Sequence, residues 1–319
     1  MRIGLYISTA GHVSLDVICA RFIAAEESGF HTAWAGHTFD WDGLSLLALA
    51  GRVTRRIELG SWVVPSFPRH PVAMAQQALT VQGACRGRLA LGIGASHAAV
   101  IQKRMGLDYS RPLRHIREYL AVLPSLLAGE RVSHHGEDFR IAAQLDPCGA
   151  PAPPVLLAAL GPQMLELAGR AADGVAIWLG GAHFVSDFAL ARIDLGARAV
   201  GRARPRVIVG LPVAVTKHAS AREAAEQFLA LSSKLPAYQR VLEREGAQSP
   251  GDVALIGDEA QVLRSLEELQ KLGVSDFNAI LFPVSGDPQA VRRTRDMLAA
   301  FAKGHHAARA GGGLDDESQ

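Results

Sequence analysis

The hexapeptide "HTFDWD" (37–42) places His37, Asp40 and Asp42 beside Trp41. Histidine changes charge near neutral pH, so His37 has the chemistry to donate a proton or to hydrogen-bond a reducible carbonyl. Trp41 suits a pocket wall. Asp42 precedes the helical run "GLSLLALAG" and has an ordinary use as a helix cap, in which case His37 is a loop residue without a chemical task. A second histidine, His97, stands in "LGIGASHAAV" (91–100). Gly92 and Gly94 are spaced G-x-G, but the third glycine of a dinucleotide fingerprint is missing and no acidic residue follows at the right distance. Small residues that let a flat ring approach a strand end fit better. His97 then either points at substrate or ring as a donor, or bonds loop backbone.

In "LGPQMLELAGRAADG" (160–174), Gly161 ends an apolar run and Pro162 opens a helix. The free amides of Gln163, Met164 and their neighbours form an anion site of the kind that any helix start offers. His134 and His135 lack the carboxylate or histidine at i+3 or i+4 that would complete a metal face. Arg111, Arg114 and Arg117 read as a solvated helix start or, alternatively, as contacts for an anionic tail. No G-x-S-x-G elbow, H-E-x-x-H or P-loop occurs. The segment "LGSWVVPSFPRHP" (59–71) begins as a strand, carries Trp62, and breaks at Pro65 and Pro68. Arg69 and His70 read there as helix-entry residues.

These groups need a frame. Strand-like runs at 2–8, 31–36, 57–64, 88–95, 155–160, 174–179, 206–215 and 276–283 alternate with amphipathic segments at 14–28, 71–84, 112–128, 162–172, 184–200, 220–231 and 258–272. Ser14 can cap the first of these helices, and Gly29 and Gly273 can end theirs. That alternation predicts a (β/α)8 TIM barrel, whose active site lies at the carboxyl ends of the strands. Segments 130–154 and 232–257 exceed a minimal barrel and read as insertions closing over one end. A single domain over 1–303 is expected, with a disordered tail over 304–319, where "GGGLDDESQ" has no apolar period.

The 319 residues carry a formal charge of +2 with mixed signs, which supplies no basic stripe for nucleic acid. No apolar run reaches the roughly 18 residues of a membrane span, and the N-terminus enters a strand directly, so a cytoplasmic protein is expected. Cys19, Cys85 and Cys148 lie far apart, outside any disulfide or thiolate-metal spacing. The expected partner is a small molecule.

Taken together, "LGSWVVPSFPRHP", the following "PVAMAQQALTVQGACRGRLALGIGASH" and "LLAALGPQMLELAGRAADGVAIW" resemble the luciferase-like superfamily, in particular its coenzyme F420-dependent branch. The resemblance implies a non-proline cis peptide at Trp62–Val63, a bulge behind the deazaflavin. It also implies coenzyme contacts at Gly36 and a phosphate site at Gly161, Pro162, Gln163 and Met164. Ser8, Trp41 and Trp178 are assigned to the substrate pocket, His37 and His97 to its polar chemistry. A homodimer is the family expectation.

The chain also departs from the family. The sugar-phosphate dehydrogenases of this branch have Asp-His where Gly36-His37 stands, a Glu base at His97 and a phosphate-binding Lys at Gly181, so a sugar-phosphate substrate is not expected. Trp62 occupies a position that is usually Gly, Ala or Ser. The reading is hydride transfer between the deazaflavin C5 and an organic substrate. The alternatives are a flavin mononucleotide (FMN) monooxygenase and a non-catalytic flavin-binding paralogue.

Overall fold

The computed structural model describes the backbone of residues 1–230 and 234–311. Chain order gives β1 (Arg2–Ile7), β2 (Thr32–Ala35), β3 (Glu58–Ser61), the two-residue β4 (Val64–Pro65), β5 (Leu89–Gly94), a hairpin of β6 (Val132–His135) and β7 (Arg140–Ala143), then β8 (Val155–Ala158), β9 (Gly174–Trp178), β10 (Arg206–Val215), β11 (Leu255–Gly257) and β12 (Asp276–Leu281). Parallel pairing runs from β1 through β2, β3, β5, β8, β9 and β10 to β12, which returns to β1 and closes an eight-stranded barrel. The helices are α1 (Leu15–Ser28), α2 (Gly43–Val53), α3 (Pro71–Ala84), α4 (Ala98–Ile101), α5 (Pro112–Leu127), α6 (Pro162–Ala171), α7 (Ala182–Phe184), α8 (Leu190–Arg198), α9 (Ala221–Leu229), α10 (Pro236–Glu245), α11 (Glu259–Lys271) and α12 (Ala290–Gly311). Ser14 caps α1 through Val17 N–H, and Gly29 ends it in the left-handed region with φ 90°.

Several elements differ from the sequence expectation. The run 57–64 is not one strand: β3 stops at Ser61, a cis Trp62–Val63 peptide follows, and β4 resumes against β5. The helix expected over 184–200 is α7, a π-turn at Val185–Ala189 and α8. Of the two expected insertions, the hairpin packs on α5, where Glu118 accepts the backbone N–H groups of Glu137, Asp138 and Phe139. The other contains α10 and β11, and β11 pairs with the end of β10. Helix α12 carries the backbone to Gly311, through the first half of the segment expected as a disordered tail; 312–319 lie outside the described residues. No described helix is long and apolar enough to cross a membrane.

Two apolar layers follow from the strand alternation. Outward residues pack under the helices in one large core. Inward residues fill the lumen, where Trp34, Ala90, Leu156 and Ile208 cluster with Tyr6 and Trp62. The amino end of the lumen is ionic: Arg206 bridges Asp276 Oδ1 at 2.6 Å and Glu58 Oε1 at 2.9 Å, and Arg2 reaches Glu58 Oε2 at 3.1 Å.

Residues 65–71, the proline-rich exit from β4, are clamped by α5. Ser66 Oγ lies 3.0 Å from His115 Nε2, Phe67 stacks on the His115 ring at 3.7 Å, and Tyr119 donates to Arg69 O at 3.0 Å. His115 is 8% exposed, and burial lowers its pKa from 6.5 to about 4 despite the opposing charges of Asp138 and Glu118. A depressed histidine pKa means that the unfolded chain takes up a proton near pH 6.5 that the folded chain refuses until about pH 4. The stability tied to His115 is therefore full above pH 6.5 and lost as pH falls to about 4. The loss amounts to about 3 kcal/mol at most. In urea denaturation between pH 7 and 4, His115→Gln is expected to remove this component of the pH dependence; a variant with the wild-type slope would contradict it.

Candidate active site at the barrel mouth

The indole of Trp62 crosses the lumen. A Cβ on Gly210, in β10, would lie 2.5 Å from its Cζ2 and 3.2 Å from Trp178 Cε3, so both tryptophans converge on one glycine. Trp62 also meets Trp34 edge-on, with centroids 5.4 Å apart. Trp34 in turn demands glycine at two positions: a Cβ on Gly4 would fall 2.4 Å from its Nε1, and one on Gly60 would fall 2.2 Å from its Cζ3. Gly92 and Gly94 have a different cause from the one expected. A Cβ on Gly92 would lie 2.1 Å from Ser61 O and one on Gly94 3.0 Å from Val63 Cγ2. Their small size accommodates the break after β3, not a flat ring. Ser61 Oγ replaces a ladder contact there, donating to Gly92 O and accepting from Gly92 N–H, both at 2.8 Å.

His37 sits at the start of α2. Its Nδ1 accepts from Gly43 N–H at 3.1 Å, while Asp42 caps the same helix through Ser45 N–H at 2.8 Å. The cap and the histidine are thus parts of one arrangement and not alternatives. Arg69 reaches in from the β4–α3 connection, pairs with Asp42 and places Nη1 3.4 Å from His37 Nε2. The expectation that Arg69 only enters a helix is therefore corrected; His70 does act there, as the α3 cap accepting from Val72 N–H. Burial first, and then the charge of Arg69, push the His37 pKa down against the pull of Asp42 and Asp40. This favours the neutral imidazole, and with Nδ1 accepting from Gly43 N–H its proton is assigned to Nε2.

Gly36 faces Tyr6, whose hydroxyl would be 2.2 Å from a Cβ at that position. Burial, helped by Asp40, raises the Tyr6 pKa to about 12 and keeps it a neutral phenol. Trp41 is 40% exposed and donates from Nε1 to Val13 O at 3.1 Å, against the β1–α1 loop. Ser8 lies exposed in that loop, its Oγ accepting from Ala10 N–H at 3.3 Å.

The α6 start has the expected form. Gly161 is the N-cap and Pro162 follows, no side chain caps the helix, and a Cβ on Gly161 would meet nothing within 4 Å. Gly161, Pro162 and Gln163 are exposed, and Met164 is partly buried.

Helix α10 ties two strand ends together. His97 Nε2 lies 3.0 Å from Tyr238 Oη, with the rings edge to face at 5.0 Å, so the expected donor to substrate or ring already has a protein partner. Glu245, ending α10, accepts from Phe184 N–H at 2.7 Å and His183 N–H at 3.3 Å. A Cβ on Gly181 would be 2.3 Å from Glu245 Oε1, so a carboxylate fills the corner where the resemblance would put a phosphate-binding lysine.

The structure thus joins Trp62 with Trp178 and His37 with Arg69, whereas no hydrogen bond or ring contact joins His37 to His97. Sequence reasoning missed Tyr238 and Glu245, which lack any motif, and it dismissed Arg69. The pairing of Arg69 with Asp42 had a weak signal in their opposite charges at adjacent strand ends.

Comparison with known proteins places this geometry. The luciferase-like monooxygenase family model matches residues 1–294, and the chain belongs to that family. It is 30% identical over 227 residues to a 5,10-methylenetetrahydromethanopterin reductase of Methanolobus tindarius, covering 70% of this chain and 68% of that protein. It is 34% identical over 201 residues to an F420-dependent hydroxymycolic acid dehydrogenase of Mycobacterium tuberculosis, covering 59% of this chain and 55% of that one. The coenzyme F420-dependent tetrahydromethanopterin reductase of Methanopyrus kandleri shares the fold, with TM-score 0.79, 22% identity, and coverage of 95% of this chain and 99% of that one.

The Trp62–Gly210 contact yields a direct test. Gly210→Ala is expected to cost about 1–3 kcal/mol through overpacking. Adding Trp62→Ala should relieve that clash, so the two changes should combine to less than their sum in a denaturation cycle. Strict additivity would mean that the indole does not cross to β10.

Proposed function

We propose that this protein is a coenzyme F420-dependent oxidoreductase acting on a small organic substrate at the barrel mouth. The observation that carries the reading is the uncapped start of α6, open at Gly161, with amides suited to a phosphate. A relative named for coenzyme F420 supports the same choice. Gly161, Gln163 and Met164 would hold the coenzyme's phosphate, and Trp62, Val63 and Trp178 would wall its flat ring. The donor set fits the group: free backbone N–H at one side and apolar surface at the other. Bound there, the coenzyme supplies hydride chemistry at C5 of its deazaflavin.

The chain's own work is orientation and polarity. His37, fixed by Gly43 N–H at Nδ1, presents Nε2–H as a neutral donor to a substrate oxygen. Tyr238 and Glu245 fasten α10 to the loops after β5 and β9. Glu245 beside Gly181 disfavours a phosphorylated substrate in that corner.

Equilibrium titration separates the coenzymes. Saturable binding of coenzyme F420, weakened in Gly161→Asp by the added charge and bulk, is the expected result; tight binding of FMN alone would reject it. With a turned-over substrate, His37→Ala should lower kcat about 10²-fold while leaving the coenzyme dissociation constant unchanged. Full turnover in that variant would remove His37 from the site.

A further inference from the structure

The donor that His37 presents has a neighbour of the same kind. With Nδ1 occupied by Gly43 N–H, the proton of the neutral ring sits on Nε2. Arg69 Nη1 lies 3.4 Å away, and a guanidinium nitrogen offers only protons. In the tautomer that the Gly43 N–H bond selects, both groups at this contact are donors. The remaining guanidinium nitrogens are satisfied, Nη2 by Asp42 and Nε by Gln77 Oε1 at 3.4 Å. The side chains of His37 and Arg69 are 12% and 20% exposed. They come from the loops after β2 and β4, at the same end of the barrel.

We propose that Arg69 Nη1 and His37 Nε2 close together on one substrate oxygen, and that this oxygen belongs to a neutral carbonyl; the assignment rests on the oxidoreductase reading above. A carbonyl oxygen has two lone pairs, one for each donor. Two hydrogen bonds, one of them charge-assisted, draw electron density toward oxygen and leave the carbon electrophilic. Local charge sets the class. Asp42 already neutralises Arg69, and Asp40, held by Thr9 and Thr38, adds a further negative charge beside His37. A carboxylate or phosphate would enter against that balance, whereas a ketone, aldehyde or amide would not. Burial, then the Arg69 charge, together with the first amide of α2 at Nδ1, oppose protonation of His37, while Asp42 and Asp40 favour it, so its role here is donation of a hydrogen bond and not of a formal charge.

The test uses the full chain without coenzyme, so it stands or falls separately from the coenzyme titration. Carbonyl-labelled cyclohexanone is titrated while the His37 Nε2 resonance is followed by NMR and the carbonyl stretch by isotope-edited infrared spectroscopy. Saturable perturbation of His37, with a stretch below that of the ketone in water, is expected in the wild type. Arg69→Lys, which keeps the charge beside Asp42, and Arg69→Gln should each weaken binding tenfold or more and return the stretch toward its free value. Circular dichroism checks that both are folded. Absence of any His37 response in the wild type, wild-type binding in a folded variant, or equal binding of acetate would each overturn the proposal.

Discussion

The lumen of this barrel is organised by two indoles that no ordinary layer of side chains could accommodate. Trp34 and Trp62 meet at 5.4 Å, and the glycines at 4, 60 and 210 are the spaces into which they extend. A strand may lack a side chain only where something else fills the volume, because interiors are close-packed. Below the indoles, the Arg2, Glu58, Arg206 and Asp276 network closes the amino end with ion pairs that satisfy one another. Trp62 and Trp178 converge on Gly210 in β10.

The polar part of the mouth is built from helix starts. Helix α2 fixes His37 by its first amide, and α6 leaves its amides open at Gly161. The short α7 has its own amides taken by Glu245. These helix ends share one physical property, unpaired N–H groups with a favourable dipole for negative charge, and the chain uses it in different ways. One orients a ring, one stays available, and one is closed by a carboxylate from an inserted helix. A barrel repeats the motif at every βα junction, so the residue placed opposite each helix start decides its use.

The fold was legible because the strand and helix periods alternate cleanly, and the α6 start was legible because Gly161-Pro162 is a local signal. The other features are long-range. His97 and Tyr238 are 141 positions apart, and Glu245 acts on backbone 61 positions earlier. Arg69 stands beside a proline-rich helix entry, which explained it locally and hid its reach to Asp42 across 27 positions. Gly92 and Gly94 misled for a related reason: glycine reports that volume is claimed, but not by what. Their claimants, Ser61 and Val63, lie on the neighbouring strand, in the break after β3.

The claim on which the account depends is that Trp62 and Trp178, together with the open start of α6, form a single coenzyme site. A crystal structure of the protein grown with coenzyme F420 tests it most directly. The ring is expected against Trp62 and Val63 and the phosphate on the amides of Gln163 and Met164, with the indole still directed at Gly210. A phosphate bound elsewhere, or a mouth that excludes the ring while Trp62 keeps its place, would contradict it.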